Sequence, residues 1–181
     1  LDIARLSAVC RRFGVPLLVD NAHGAYLRFL PESMHPLGLG ADMCCDSAHK
    51  TLPALTGAAY LHISASAPAV FSQNAMRAMA LFASTSPSYL ILQSLDRTNA
   101  YLAAGYPDRL DRCARRLSGL KSALRDKGFA LWGDEPLKIT VAPKACGYTG
   151  TELAQYLRAR RIECEFADPD CAVFMFTPEL T

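Results

Sequence analysis

The run Val15-Pro16-Leu17-Leu18-Val19 is continuously apolar and ends at Asp20. Such a run is typical of a strand that is buried on both faces of a sheet. Residues 41–45 predict a second short strand, which ends at Asp46 and Ser47, and residues 56–63 predict a third. Strands that are joined by helices or long loops indicate an α/β fold with a mostly parallel sheet. Because ligands bind beyond the carboxyl ends of such strands, we expect Asp20 and Ser47 to lie at a binding edge.

The rest of the chain predicts first helices and then a second set of strands. Three helical patterns cover residues 68–82, 88–104 and 108–127, with Gly128 as the last C-cap. Four strands are predicted around a helix at 151–160, at residues 129–132, 137–142, 162–166 and 172–176. We therefore expect a large α/β domain at residues 1–104, a connecting long helix at 105–128, and a smaller α+β domain at 129–181. The chain lacks an initiator Met, so we expect a fragment without its front part and with a truncated second domain.

Composition excludes several classes of protein. Of 181 residues, 51% are apolar and 20% are charged, which allows a sizeable core and excludes a disordered tail. The net charge of +2 gives no basic surplus for nucleic acid, and no apolar run is long enough to span a membrane. The seven cysteines are odd in number and form no C-x-x-C pair. We expect free thiols in a reducing cytoplasm and no metal site.

Two segments carry groups that are suited to chemistry, Val19 to Gly24 and Asp46 to Gly57, and Lys50 comes thirty positions after Asp20. A lysine beyond a strand end, if it is partly desolvated, is an amine nucleophile for a carbonyl. A carboxylate at the end of the neighbouring strand holds a positive charge in place. Pyridoxal phosphate needs both groups: the lysine forms a Schiff base with its aldehyde, and the carboxylate pairs with its pyridinium nitrogen. Taken singly, Lys50 predicts only a solvated surface charge and Asp20 a turn or cap.

The two segments together resemble the bacterial ornithine/lysine/arginine decarboxylase family of fold type I pyridoxal-phosphate enzymes. The likeness rests on Asp20-Asn21-Ala22-His23-Gly24 and on Ser47-Ala48-His49-Lys50-Thr51-Leu52. It continues at Ser84-Thr85-Ser86-Pro87-Ser88-Tyr89 and, more weakly, to Leu157. The resemblance implies that residues 1–104 are the C-terminal part of the cofactor-binding large domain. Asn21 departs from the pattern, because the family commonly has Glu there.

The resemblance also implies a role for each matching residue. Lys50 would hold the cofactor, with Asp20 on the ring nitrogen, Ala22 against one ring face, and His23 beside the ring and the substrate. Two further groups would contact phosphate: Ser47 and His49 in the same subunit, and Ser84, Thr85 and Ser86 towards the neighbouring subunit of a homodimer.

The expected reaction is decarboxylation of lysine, arginine or ornithine, and this expectation rests on the resemblance alone. Two alternatives stay open: another fold type I enzyme, such as an aminotransferase or a lyase, and a non-catalytic assembly domain. No residue identifies the substrate. A carboxylate for its distal cation could come from Glu32, Asp134 or Glu135.

Overall fold

The computed structural model describes residues 1–83 and 86–179 and divides the chain into two compact units, Leu1–Pro107 and Asp108–Thr181. The seven cysteines are free thiols. Within the described ranges, no helix is long and apolar enough to cross a membrane. The α/β prediction is confirmed at the level of mixed helix and sheet.

The first unit contains a small three-stranded sheet and several helices. The sheet holds β1 (Leu18–Asp20), β2 (Met43–Asp46) and β3 (Tyr60–Ile63), in the order β1-β2-β3. The helices are α1 (Ile3–Arg12), α2 (Ala48–Thr51), α3 (Ala69–Phe82) and α4 (Tyr89–Ala103). Strands β1 and β2 run parallel, whereas β2 and β3 run antiparallel. The carboxyl ends of β1 and β2 therefore meet at one edge, as the sequence predicts.

The apolar run at residues 15–19 gives a shorter and more exposed strand than predicted. Pro16 has no N–H, and the N–H of Leu17 bonds the side chain of Asp42 at 2.8 Å, so the ladder starts at Leu18. Val15 is 56% exposed and Leu18 is 51% exposed, so the prediction of burial on both faces was wrong. A run of apolar residues cannot show which of its faces other elements cover.

The second unit begins within a long helix. Helix α5 (Tyr106–Asp126) starts earlier than predicted, because Pro107 fits the first turn of a helix instead of breaking it. A four-stranded antiparallel sheet of order β4-β5-β7-β6 follows. Its strands are β4 (Ala130–Trp132), β5 (Lys138–Ala142), β6 (Phe166–Ala167) and β7 (Ala172–Met175), and α6 (Gly150–Arg158) lies between β5 and β6. The predicted strand at 162–166 is displaced, because Arg161 turns the chain with a φ of 64°.

Candidate active site

Lys50 lies on a short helix directly beyond β2. Helix α2 follows Ser47, and His49 anchors it, because its N–H and its Nδ1 both approach the carbonyl oxygen of Ala58, at 3.3 and 2.9 Å. The Lys50 side chain is exposed, and its Nζ lies 3.4 Å from Nε2 of His23. The two predicted catalytic residues are thus neighbours, and the Lys50 side chain is open to solvent in this chain.

Asp20 is the last residue of β1 and lies opposite Cys45 of β2. Its Oδ1 accepts a hydrogen bond from the backbone N–H of Ala22 at 3.0 Å, and the Cys45 thiol lies 3.9 Å away. Both side chains are exposed. The carboxylate therefore stands at the sheet edge from which Lys50 also projects, free to meet a cationic group.

The segment between Asp20 and His23 turns sharply back. The N–H of Gly24 bonds the carbonyl of Asn21 at 2.8 Å. A Cβ at Gly24 would overlap the Asn21 side-chain amide, so a larger residue there would displace this amide from its present position. The turn fixes His23 beside Lys50 and turns the Asn21 amide towards β2.

A buried carboxylate lies directly before the lysine segment, and sequence reasoning missed it. Asp46 is 2% exposed. Its Oδ1 accepts from Nδ2 of Asn21 at 2.6 Å, and its Oδ2 lies 3.0 Å from Nε2 of His35 and 3.0 Å from Nε2 of His62. Burial alone would raise the pKa of Asp46, but these hydrogen bonds outweigh burial and hold the pKa well below its usual 3.8.

The same cluster contains a buried thiol. Cys44 Sγ lies 3.8 Å from His35 Nε2, and burial, with Asp46 and Cys45 adding to it, raises the pKa of Cys44 to about 12. The ligand atoms of His35, Cys44 and Asp46 lie within 4.8 Å of one another. No sequence spacing predicts this group, because Cys44 and Asp46 belong to β2 whereas His35 lies in the loop that precedes it. The alternation within β2 and β3 was the one available signal, because it puts Cys44 opposite His62.

The His35 and Asp46 cluster borders a cavity of about 510 Å³. Its polar lining includes Tyr60 and Asn99, which are joined by a 2.9 Å hydrogen bond, and Arg28. Burial raises the pKa of Tyr60. The cavity lies on the sheet face of Asp46 and His62, whereas Asp20 belongs to the alternate set of strand positions.

The remaining predicted site residues are placed less tightly. Ala22, two positions after Asp20, and Ser47, three positions before Lys50, are both half-buried. Ser86 is exposed. Ser84 and Thr85 lie outside the described residues. Asp134 and Glu135, considered for a substrate cation, lie near Lys121 and Lys138, at 3.5 and 2.7 Å.

A profile described as "Orn/Lys/Arg decarboxylase, major domain" matches residues 2–127. A Bacillus subtilis protein described as "Uncharacterized protein YaaO" is 33% identical over 92% of this chain and 36% of its own length. Arginine decarboxylase of Bacillus anthracis is 28% identical over the same shares of the two chains. This chain thus spans about a third of the length of these relatives.

Two solved structures share the fold. Lysine decarboxylase LdcF of Francisella novicida superposes with a TM-score of 0.72 at 21% identity, covering 91% of this chain and 30% of that one. The constitutive lysine decarboxylase of E. coli gives 0.72 and 21%, covering 96% and 32%. At this identity the likeness concerns the fold alone. The profile, which spans more than half of the sequence, shows that the chain belongs to the Orn/Lys/Arg decarboxylase family.

Proposed function

We propose that this chain carries the lysine-bearing part of a pyridoxal-phosphate-dependent decarboxylase of a basic amino acid. The observation that carries the proposal is the 3.4 Å approach of Lys50 Nζ to His23 Nε2, at the edge where β1 ends in Asp20. Residues 1–104 would be the end of a fold type I large domain, although the family profile continues through the long helix to residue 127.

The donor set fits the cofactor chemically. A primary amine and an imidazole lie 3.4 Å apart beyond the strand ends, and an exposed carboxylate ends β1, at the carboxyl edge of parallel strands where α/β sheets bind ligands. When bound, the cofactor supplies an electron sink for the pair of electrons that is left at Cα. Lys50 would bind its aldehyde carbon, and Asp20 would hold its protonated ring nitrogen. Ser47 and His49 would lie towards the phosphate.

His23 has two tasks in this proposal. Its ring would lie beside the cofactor ring and the substrate, and its Nε2 faces Lys50 Nζ at hydrogen-bond distance. A proton held between these two nitrogens would be available to a substrate carbon beside them. Because Lys50 is exposed in this chain, exclusion of water would come from the bound groups and from the neighbouring subunit of a homodimer, whose approach we expect at Ser84, Thr85 and Ser86.

The substrate class follows from the family and its relatives. The family profile names ornithine, lysine and arginine, and the matching enzymes are named as arginine or lysine decarboxylases. We propose one of these three amino acids as substrate, with carbon dioxide and a diamine or agmatine as products.

The test uses the full-length protein with pyridoxal phosphate, borohydride reduction and peptide mapping. Lys50 is the one lysine in residues 1–107, so an adduct there is unambiguous. We expect a visible absorption band and a label on Lys50, both absent in Lys50→Ala and kept in Lys127→Ala, which removes an exposed lysine. Incubation with lysine, arginine and ornithine should release carbon dioxide. A 2-oxo acid instead would indicate an aminotransferase, and an unlabelled Lys50 would indicate a non-catalytic role.

A further inference from the structure

We propose that Asp46 is a positioning residue that sets Lys50 against Asp20, an inference that rests on the proposed function and extends it. Asp46 is the last residue of β2 and precedes Ser47, the cap of the helix that carries Lys50. Only Ser47, Ala48 and His49 separate Asp46 from Lys50, so we expect the position of Asp46 to influence that of Lys50.

The Asp46 side chain is held from three directions. Asn21 follows β1, His35 precedes the turn Pro36–Leu39, and His62 belongs to β3. Each approaches a carboxylate oxygen at 2.6 or 3.0 Å. A buried carboxylate that is bonded to three separate elements has little freedom to move, because each bond that is broken leaves a buried charge poorly paired.

The bond to Asn21 links the two cofactor residues. Asn21 follows Asp20, and Asp46 lies four positions before Lys50. The backbone N–H of Asn21 also bonds the carbonyl of Cys45 at 2.9 Å, so main chain and side chain together extend the β1–β2 pairing past the end of β1. One rigid ring must touch Asp20 at its nitrogen and Lys50 at its aldehyde, so the separation of these residues decides whether both contacts form together.

The alternative role for His35, Cys44 and Asp46 is to bind a metal ion. One feature favours the hydrogen-bonded network instead: both imidazole Nε2 atoms lie at hydrogen-bond distance from the same oxygen of Asp46.

The experiment compares three variants of the full-length protein. Asp46→Asn keeps the shape of the side chain and removes its charge. Asn21→Ala removes the one bond to the β1 end and leaves both histidines on Asp46. Asp42→Asn is the matched control: it makes the same change at the other end of the same β2 region, where Asp42 bonds the N–H of Leu17.

Two readouts separate positioning from general damage to the fold. The first is the ratio of affinities for pyridoxal phosphate and for an analogue with a methyl group in place of the aldehyde, since only the former condenses with the Lys50 amine, with loss of water. The second, made without cofactor, is amide hydrogen exchange of residues 47–51. We expect Asp46→Asn and Asn21→Ala to lower the affinity ratio about 10- to 100-fold and to speed exchange, and Asp42→Asn to change neither more than about two-fold.

Each result of these two measurements either supports the positioning role of Asp46 or contradicts it. Wild-type values of the ratio and of exchange in folded Asp46→Asn would overturn the proposal, as would stoichiometric metal in the purified protein that is lost in this variant. If Asp46→Asn does not fold, Asn21→Ala decides by the same readouts. If wild-type Lys50 takes no cofactor, the proposed function fails, and the exchange data still test whether Asp46 holds the lysine segment.

Discussion

Asn21 and Asp46 join the carboxyl ends of two parallel strands through a side-chain hydrogen bond of 2.6 Å. The bond explains the departure at position 21 from a family pattern that commonly has Glu. An amide there donates to Asp46, whereas a carboxylate would place like charges in contact inside a half-buried site. The residue at position 21 and the buried carboxylate at position 46 are therefore matched to each other.

Replacing Asn21 by Asp should turn this favourable hydrogen bond into an unfavourable contact between two carboxylates. Two carboxylates in contact at a part-buried site cannot both ionise without cost, so the pKa of one rises. A carboxyl group whose pKa is raised by folding stabilises the protein at low pH and loses that effect as pH rises through its folded pKa. We expect Asn21→Asp to lower the free energy of unfolding by about 2 kcal/mol at pH 7 and by less near pH 5. Urea unfolding at the two pH values measures this, and an equal loss at both would contradict it.

Asp46 itself should make stability depend on acid pH. Folding holds its pKa below 3.8, so its ionised form stabilises the folded protein above that value, and the effect is lost as pH falls further. The difference in unfolding free energy between wild type and Asp46→Asn should therefore be large at pH 6 and should shrink below about pH 4. Urea titrations across this range provide the measurement. A difference that stays constant with pH would mean that the charge of Asp46 contributes nothing to stability.

Asp20 should matter for chemistry far more than for the fold. Its carboxylate is exposed, and it accepts from the nearby N–H of Ala22 at 3.0 Å and lies 3.9 Å from the Cys45 thiol. In the proposed function, Asp20→Asn leaves the ring nitrogen without its counter-charge and should lower kcat on the order of 100-fold. Unfolding by urea should change by less than about 0.5 kcal/mol. A variant with wild-type kcat would remove Asp20 from the cofactor site.

The sequence predicted the elements that depend on local pattern. Helices α3 and α4 end within one residue of prediction, because Pro68 and Ser88 mark their starts and the apolar periodicity does the rest. Helix α6, predicted at 151–160, begins at Gly150 behind a capping box of Thr149 and Glu152. The meeting of β1 and β2 at one edge followed from their parallel order alone.

Contacts between residues that are far apart in the chain could not be predicted from the sequence. His35 and His62 lie 11 and 16 positions from Asp46, on elements whose register no local pattern fixes. The burial of Asp46 depends on that register, since a one-residue slip of β2 would turn the carboxylate to the exposed face. Exposure of Leu18 was missed for a related reason, since composition does not tell which face is covered.

Gly150 should be the least replaceable glycine in the second unit. A Cβ there would overlap backbone carbonyl oxygens of Cys171 and Asp168, and backbone cannot move aside as a side chain can. Gly150→Ala should therefore lower the free energy of unfolding by about 3 kcal/mol. Gly119→Ala is the matched control, because Gly119 lies within α5 with open space around its Cβ position. There alanine should raise stability by about 0.5–1 kcal/mol through its higher helix propensity. If the two variants unfolded at the same urea concentration, close packing of the α6 start against the turn before β7 would be refuted.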